Sequence, residues 1–235
     1  MPRTVLFLSV AIALFAADEP AWKSKAIPEW SPDDAQQVLS DSPWTKTVTP
    51  TLNRAQSGSG GGRRGGIGLG GIGIGLPGGG MGRRSGGGGY PGRTGDGGSE
   101  TIQPPTLKLR WESALPVREA ELKARDTAAP TLDEDHYAIA VYGVPSRMAS
   151  ADSKNLSDQL KREASLKRDG KKDLKPSSVD VLQREDGPVI VYQFPRTKEI
   201  TRQDRRIEFD ARIGRLQFTQ SFYTEDMVYQ DKLQL

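Results

Sequence analysis

The chain has 235 residues and a formal net charge of +3, and it contains no cysteine. Without cysteine it cannot form disulfide bonds, thiolate zinc sites or cysteine nucleophiles, so the fold must depend on its core. All but four of the 27 glycines lie within residues 58–98. A segment that rich in glycine cannot bury enough side chain to offset its ordering entropy, which leaves the foldable residues on either side of it.

The amino-terminal segment has the order of a secretory signal. A short positive start with Arg3 precedes an apolar run over residues 5–15, and polarity changes sharply after Ala17. The run is too short to cross a bilayer comfortably, and the order of regions is that of a signal peptide. We expect residues 1–17 to be a cleaved signal peptide, the protein to be periplasmic or extracellular, and no transmembrane span after signal removal. An uncleaved anchor or a buried helix is the alternative.

Residues 18–53 predict a short helical module that carries three of the four tryptophans. Ser31 suits the N-cap, Pro32 suits the first helical position, and two acidic residues follow at the positive end of the helix dipole. So short a helix is not stable alone in water. It docks on the chain's own carboxy-terminal domain, anchors a partner through its aromatic residues, or is disordered. The candidate partner-binding residues are Trp30, Val38, Leu39 and Trp44.

Residues 54–100 predict a disordered linker rich in glycine and arginine. A flexible spacer is the interpretation we favour. The isoleucines and leucines that alternate with glycine favour a second interpretation of the linker, in which it contacts a membrane or self-associates. The arginine–glycine repeats are typical of RNA-binding tails, but export argues against a nucleic-acid partner. The linker arginines that are candidates for contact with an anionic surface are Arg63, Arg64, Arg83 and Arg84.

Residues 101–235 predict an α+β domain, a mostly antiparallel sheet with about two helices on one face. Alternation predicts a half-exposed strand at 107–111, and a run that is apolar on both faces predicts a central strand at 137–144. Apolar stripes predict helices at 116–125 and 153–168. Met227, Tyr229, Leu233 and Leu235 indicate a last strand.

Two β-hairpins are expected near the carboxy-terminal end. Asp186-Gly187 suits a tight turn with positive φ, and Gly214-Arg215 is a glycine-first turn. In each hairpin the expected register brings apolar residues together on one face. The first hairpin pairs Val179 with Phe194, Val181 with Tyr192 and Gln183 with Ile190. The second pairs Ile213 with Leu216, Ala211 with Phe218, Phe209 with Gln220 and Ile207 with Phe222.

The sequence offers little for catalysis. His136 is the only histidine, and no G-x-S-x-G motif accompanies any serine. The acidic residues that precede His136 lack the spacing of a calcium or zinc site. We therefore assign no catalytic, cofactor or metal residue. A basic stretch, in which Lys171 and Lys172 are candidates for contact with an anionic surface, is otherwise typical of a solvated helix and loop.

Four stretches, PEWSPDDAQQVLSDSPW, LRWESALPVREA, VYQFPR and MVYQDKLQL, resemble uncharacterised exported proteins of acidobacterial type. The resemblance implies export and brings no activity, fold or site residue. The residues favour a non-enzymatic envelope protein that binds or scaffolds, with an envelope protein or an anionic surface as partner, because a flexible spacer raises the effective concentration of a tethered module. The alternative is a hydrolase whose carboxylates converge only in three dimensions.

Overall fold

The structure is a computed structural model that describes residues 20–53, 103–126, 129–148 and 153–235. The expected signal peptide and linker, with Arg63, Arg64, Arg83 and Arg84, lie outside the described residues. The helices are α1 (Ala21–Ser24), α2 (Pro32–Ser40), α3 (Leu115–Ala124) and α4 (Ser153–Arg162). The strands are β1 (Thr45–Val48), β2 (Thr51–Leu52), β3 (Leu107–Trp111), β4 (His136–Tyr142), β5 (Ala164–Arg168), β6 (Ser178–Leu182), β7 (Val189–Pro195), β8 (Arg206–Ile213), β9 (Leu216–Tyr223), β10 (Val228–Tyr229) and β11 (Lys232–Leu233).

The strands form two main sheets and one small hairpin. The first sheet has the order β1-β3-β4-β7-β6, the second has the order β2-β9-β8-β5, and β10 pairs with β11. Every strand pair among the described residues is antiparallel. Aromatic rings join the two sheets, because the ring centroids of Trp111 and Phe222 lie 5.3 Å apart and those of Tyr192 and Phe209 lie 5.2 Å apart. The expected α+β class with mostly antiparallel strands is confirmed, but the strands divide between two sheets.

The β8–β9 hairpin has the expected register. Its turn residue Gly214 has a φ of 59°, in the left-handed region that glycine adopts without a steric penalty. All four expected pairs are present: Ile213 with Leu216, Ala211 with Phe218, Phe209 with Gln220, and Ile207 with Phe222.

The β6–β7 hairpin has a register that differs from the expected one by two residues. Val179 lies opposite Tyr192 rather than Phe194. The cause is the connection: β6 ends at Leu182 and β7 begins at Val189, so a longer loop replaces the two-residue turn. A shift by two residues leaves each side chain on its expected face, and the apolar face of the hairpin is therefore still buried.

The predicted helix over 153–168 ends early, because α4 stops at Arg162 and β5 follows. In β5, Leu166 is fully buried and lies opposite Phe209 of β8. The apolar residues that continue the helical stripe in the sequence thus fit a strand, and pairing with β8 decides between the two. The expected central strand is confirmed, since β4 lies between β3 and β7.

Residues 20–53 are an integral part of this fold. Strand β1 pairs with β3 and β2 pairs with β9, so the segment supplies one edge strand to each main sheet. The indole Nε1 of Trp44 donates to the carbonyl oxygen of Gln234 over 2.9 Å. Trp44 packs on Trp22, which packs on Trp30. The tryptophans therefore dock on the chain's own carboxy-terminal domain.

A protein that begins at residue 101 is consequently expected to lose its cooperative thermal transition, although the sequence alone favours independent folding. Its β3 and β9 strands lose their edge partners, and the apolar surface that Trp22 and Trp44 cover in the full chain is exposed to water. Circular dichroism melts of residues 101–235, alone and with residues 20–53 supplied as a separate peptide, test this. Recovery with the peptide supports the assignment, whereas a sharp, unshifted transition without it contradicts the assignment.

Candidate functional site

A concentrated group of ionisable side chains lies on the face of the first sheet that points away from the second. Its centre is Arg110, whose side chain is only 4% exposed. The guanidinium donates from Nε to Glu112 over 2.7 Å, from Nη2 to Glu121 over 2.7 Å, and from Nη1 to Asp126 over 3.1 Å. With Tyr142 these residues form what we call the Arg110 cluster.

Four pieces of the chain position this cluster. Arg110 and Glu112 lie at the end of β3, two residues apart and therefore on one face. Glu121 comes from the buried side of α3, and Asp126 follows the end of that helix. The Tyr142 ring of β4 lies 4.6 Å from the guanidinium, and its hydroxyl donates to Glu112 over 2.5 Å. The planar guanidinium of arginine has five N–H donors, so it binds several carboxylates at once better than the ammonium group of lysine does.

Burial and crowding of charge shift the pKa values in the cluster. Burial raises the pKa of Glu121 to about 10, and the nearby Glu112 carboxylate adds to this against the opposing effect of Arg110. Burial alone would lower the pKa of Arg110, but Glu112, Tyr142 and Glu121 together outweigh burial and the pKa rises. Burial and Glu112 also raise the pKa of Tyr142. One cation cannot balance three ionised carboxylates, so Glu121 keeps its proton at neutral pH.

The free energy of unfolding is therefore expected to fall with rising pH through Glu121. The folded chain keeps this proton up to a pKa of about 10, whereas the ordinary pKa is 4.5. Between these values the folded state binds more protons, so stability decreases by at most about 1.4 kcal/mol per pH unit. Glu121→Gln should reduce this slope in urea titrations between about pH 6 and pH 9. Glu119→Gln on the same helix is the matched control, and an unchanged slope in Glu121→Gln would contradict the assignment.

A cleft of about 500 Å³ lies beside the cluster, between α3 and residues 129–132. Leu122 of α3 is 73% exposed at this cleft. Arg118 and Arg125 are exposed on the same side of the helix, and neither guanidinium has an ion-pair or hydrogen-bond partner among the described residues. We call this feature the α3 cleft. Its lining residues are Arg118, Glu121, Leu122, Arg125, Asp126, Ala129, Pro130, Thr131 and Leu132.

The four candidate partner-binding residues lie in the core and not at this cleft. Trp30, Val38, Leu39 and Trp44 are each at most 4% exposed. Their side chains contact other parts of the chain instead: Trp30 packs on Tyr229, and Trp44 donates to the carbonyl oxygen of Gln234.

The two lysines expected to contact an anionic surface differ. The Lys171 side chain is exposed, but its ammonium lies 2.7 Å from the buried carboxylate of Asp204 and is held in that ion pair. Lys172 is exposed. The structure does not bring either of them to the α3 cleft.

His136 is not part of a metal site among the described residues. Its Nδ1 lies 2.7 Å from the carboxylate of Asp133, and this hydrogen bond lowers the pKa of Asp133. Within residues 20–53, 103–126, 129–148 and 153–235 no group of three or more histidine or acidic side chains is arranged to hold a metal ion.

Sequence reasoning missed both the Arg110 cluster and the α3 cleft. Alternation along β3 places Arg110 and Glu112 on a wet face, because nothing local shows that α3 covers them. The usable signal is on α3, where Leu115, Arg118, Leu122 and Arg125 recur at helical spacing and two leucines fall on the solvent side. Leu115 is 43% exposed there.

Compared with protein-family models, curated proteins and solved structures, the chain matches none of them. None of the helices in the described ranges combines the length and the apolar character needed to cross a bilayer. Its function must therefore be inferred from the residues and their geometry.

Proposed function

We propose that the chain is an exported, non-enzymatic protein of the cell envelope that binds a partner through the α3 cleft. Two features support this proposal. Residues 1–17 have the charge, apolar and small-residue order of a secretory signal. The α3 cleft combines an exposed leucine with two arginines that have no ion-pair partner in the part of the chain that the structure describes, and an exposed apolar side chain rimmed by charge is typical of binding surfaces.

The main support for the proposal is a difference in exposure between the residues of the α3 cleft and the carboxylates of the Arg110 cluster. The acidic side chains that the fold gathers are directed inward onto Arg110, and Glu112 is fully buried. The side of α3 that faces solvent instead carries Leu122, Arg118 and Arg125. A surface of this kind can hold a ligand, whereas the fully buried Glu112 carboxylate has no solvent beside it for a substrate bond.

Photo-crosslinking in bacterial cells tests this function. A photo-reactive residue at position 122 should give an envelope adduct, and one at position 223 on the second sheet, where Tyr223 is 46% exposed, should not. Mass spectrometry of the mature amino terminus should find cleavage near Ala16 or Ala17. Equal adducts from both positions, or a protein that retains Met1 in the cytoplasm, would overturn the proposal.

One observation favours a hydrolase as the second candidate. Glu121 lines the α3 cleft and keeps its proton at neutral pH, and a protonated carboxyl beside a carboxylate is the arrangement of a general acid. Turnover of chromogenic glycosides or esters that is abolished by Glu121→Gln and retained by Glu119→Gln would favour this candidate over binding.

A further inference from the structure

We propose that the α3 cleft binds a single-chain anionic amphiphile, with its alkyl chain in the cleft and its carboxylate or sulfate head between Arg118 and Arg125. This inference rests on the proposed binding function and names the class of ligand. The cleft has the right scale, since small-molecule sites span about 300–1,000 Å³ and this one has about 500 Å³.

The walls of the cleft suit an alkyl chain. Leu122 on one side and Ala129, Pro130 and Leu132 on the other present apolar side chains to the same space. Leu122 is 73% exposed, so an alkyl chain that covers it removes apolar surface from water, which favours binding. A compact inorganic anion would leave this surface uncovered.

The charges around the cleft suit an anionic head. Arg118 and Arg125 lie on its rim, and within the described ranges neither guanidinium has an ion-pair partner. Guanidinium groups bind carboxylate and sulfate oxygens in bidentate fashion. The two acidic residues of the lining oppose them only in part, because one is neutral and the other shares a cation. Asp126 accepts a hydrogen bond from Arg110 over 3.1 Å, and Glu121 is protonated because burial raises its pKa to about 10.

A second cleft strengthens the positive potential at this end of α3. It has a volume of about 310 Å³ and shares Arg125 and Asp126 with the α3 cleft. Its other cations are Arg110, already held by the cluster, and Lys108, whose ammonium has no partner among the described residues. An anion beside Arg125 therefore lies between cations on both sides.

Arg125 has a left-handed backbone conformation at the end of α3. Arg125 follows α3 with a φ of 52° and a ψ of 44°, a left-handed position that glycine usually occupies at the end of a helix. A residue with a Cβ is strained there. An arginine at this position supplies a cation to the cleft at the expense of stability.

Isothermal titration calorimetry of the full chain with sodium decanoate, below its micelle concentration, tests the proposal. We expect one site per chain and no binding of decyltrimethylammonium, which has the same chain and a cationic head. Arg118→Glu combined with Arg125→Glu should weaken decanoate binding at least about tenfold. The charge-matched control Lys172→Glu, on a remote exposed loop, should change it less than about twofold.

Arg125→Gly separates a binding role from a structural one. It should raise the melting temperature by about 2 °C, because glycine relieves the left-handed strain, and it should weaken decanoate binding. Equal binding of decyltrimethylammonium, unchanged affinity in the double charge reversal, or binding only to phosphatidylglycerol vesicles would overturn the proposed ligand. If decanoate fails to bind while crosslinking at position 122 persists, the ligand class is wrong and the proposed binding function stands.

Discussion

Trp44→Ala is expected to lower the free energy of unfolding by about 3–5 kcal/mol, the usual loss for a fully buried large aromatic residue. Trp44 has no exposed surface, and its ring centroid lies 5.5 Å from that of Trp22. The substitution leaves a cavity between β1 and the last residues of the chain. It also removes the hydrogen bond to the carbonyl of Gln234, a residue 190 positions away.

Urea denaturation followed by circular dichroism measures this loss, and the melting temperature should fall by roughly 10 °C. Trp44→Phe keeps most of the ring and loses the indole N–H, so its effect should be clearly smaller. Tyr223→Ala, at an exposed aromatic residue, is the matched control and should be close to neutral. If Trp44→Ala were also neutral, residues 20–53 would not be part of the core.

Arg110→Met is the second substitution with a large expected effect, about 3–5 kcal/mol of destabilisation. Methionine fills much of the volume of arginine but supplies no positive charge. Glu112 and Asp126 would then be left without the cation that compensates them, and Glu121 would lose its nearest donor. An uncompensated buried charge destabilises more than the original ion pair stabilises.

A second variant distinguishes loss of charge balance from loss of packing. Arg110→Met combined with Glu112→Gln and Glu121→Gln removes the carboxylates together with the cation, so it should recover part of the lost stability. Arg118→Met, on the exposed side of α3, is the control and should change stability by less than about 0.5 kcal/mol. The charge-balance account is contradicted if the triple variant is less stable than Arg110→Met.

Local patterns in the sequence predicted those parts of the fold that local chemistry determines. The β8–β9 hairpin has its expected register because Gly214 and the two-residue turn fix the pairing of its strands. The α+β class follows from the same kind of evidence. The helix over 153–168 was too long because Ala164, which continues the helical stripe of Leu156 and Leu160, also fits a strand, and only pairing with β8 selects the strand.

The candidate site depends on contacts between distant residues, and for that reason the sequence did not predict it. Arg110 and Glu121 lie on different elements, and no spacing rule joins a strand residue to a helix residue that folds back over it. The tryptophans of residues 18–53 were recognised as docking residues, but their pattern does not distinguish an internal site from a partner. That choice depends on β1 and β2 adding to the edges of two sheets.

The position of β1 and β2 at the sheet edges has a consequence for the order of folding. Thr51 of β2 donates to Gln217 of β9, a residue 166 positions later, so β2 leaves the ribosome early and is among the last strands to find its partner. Closing so long a loop costs conformational entropy before the strand contacts that offset this cost can form. Folds with many contacts between residues distant in sequence therefore fold slowly. Until then β9 has an open edge, and open edges pair with other chains. The nascent chain is therefore most prone to self-association before its own β2 strand returns to cover this edge.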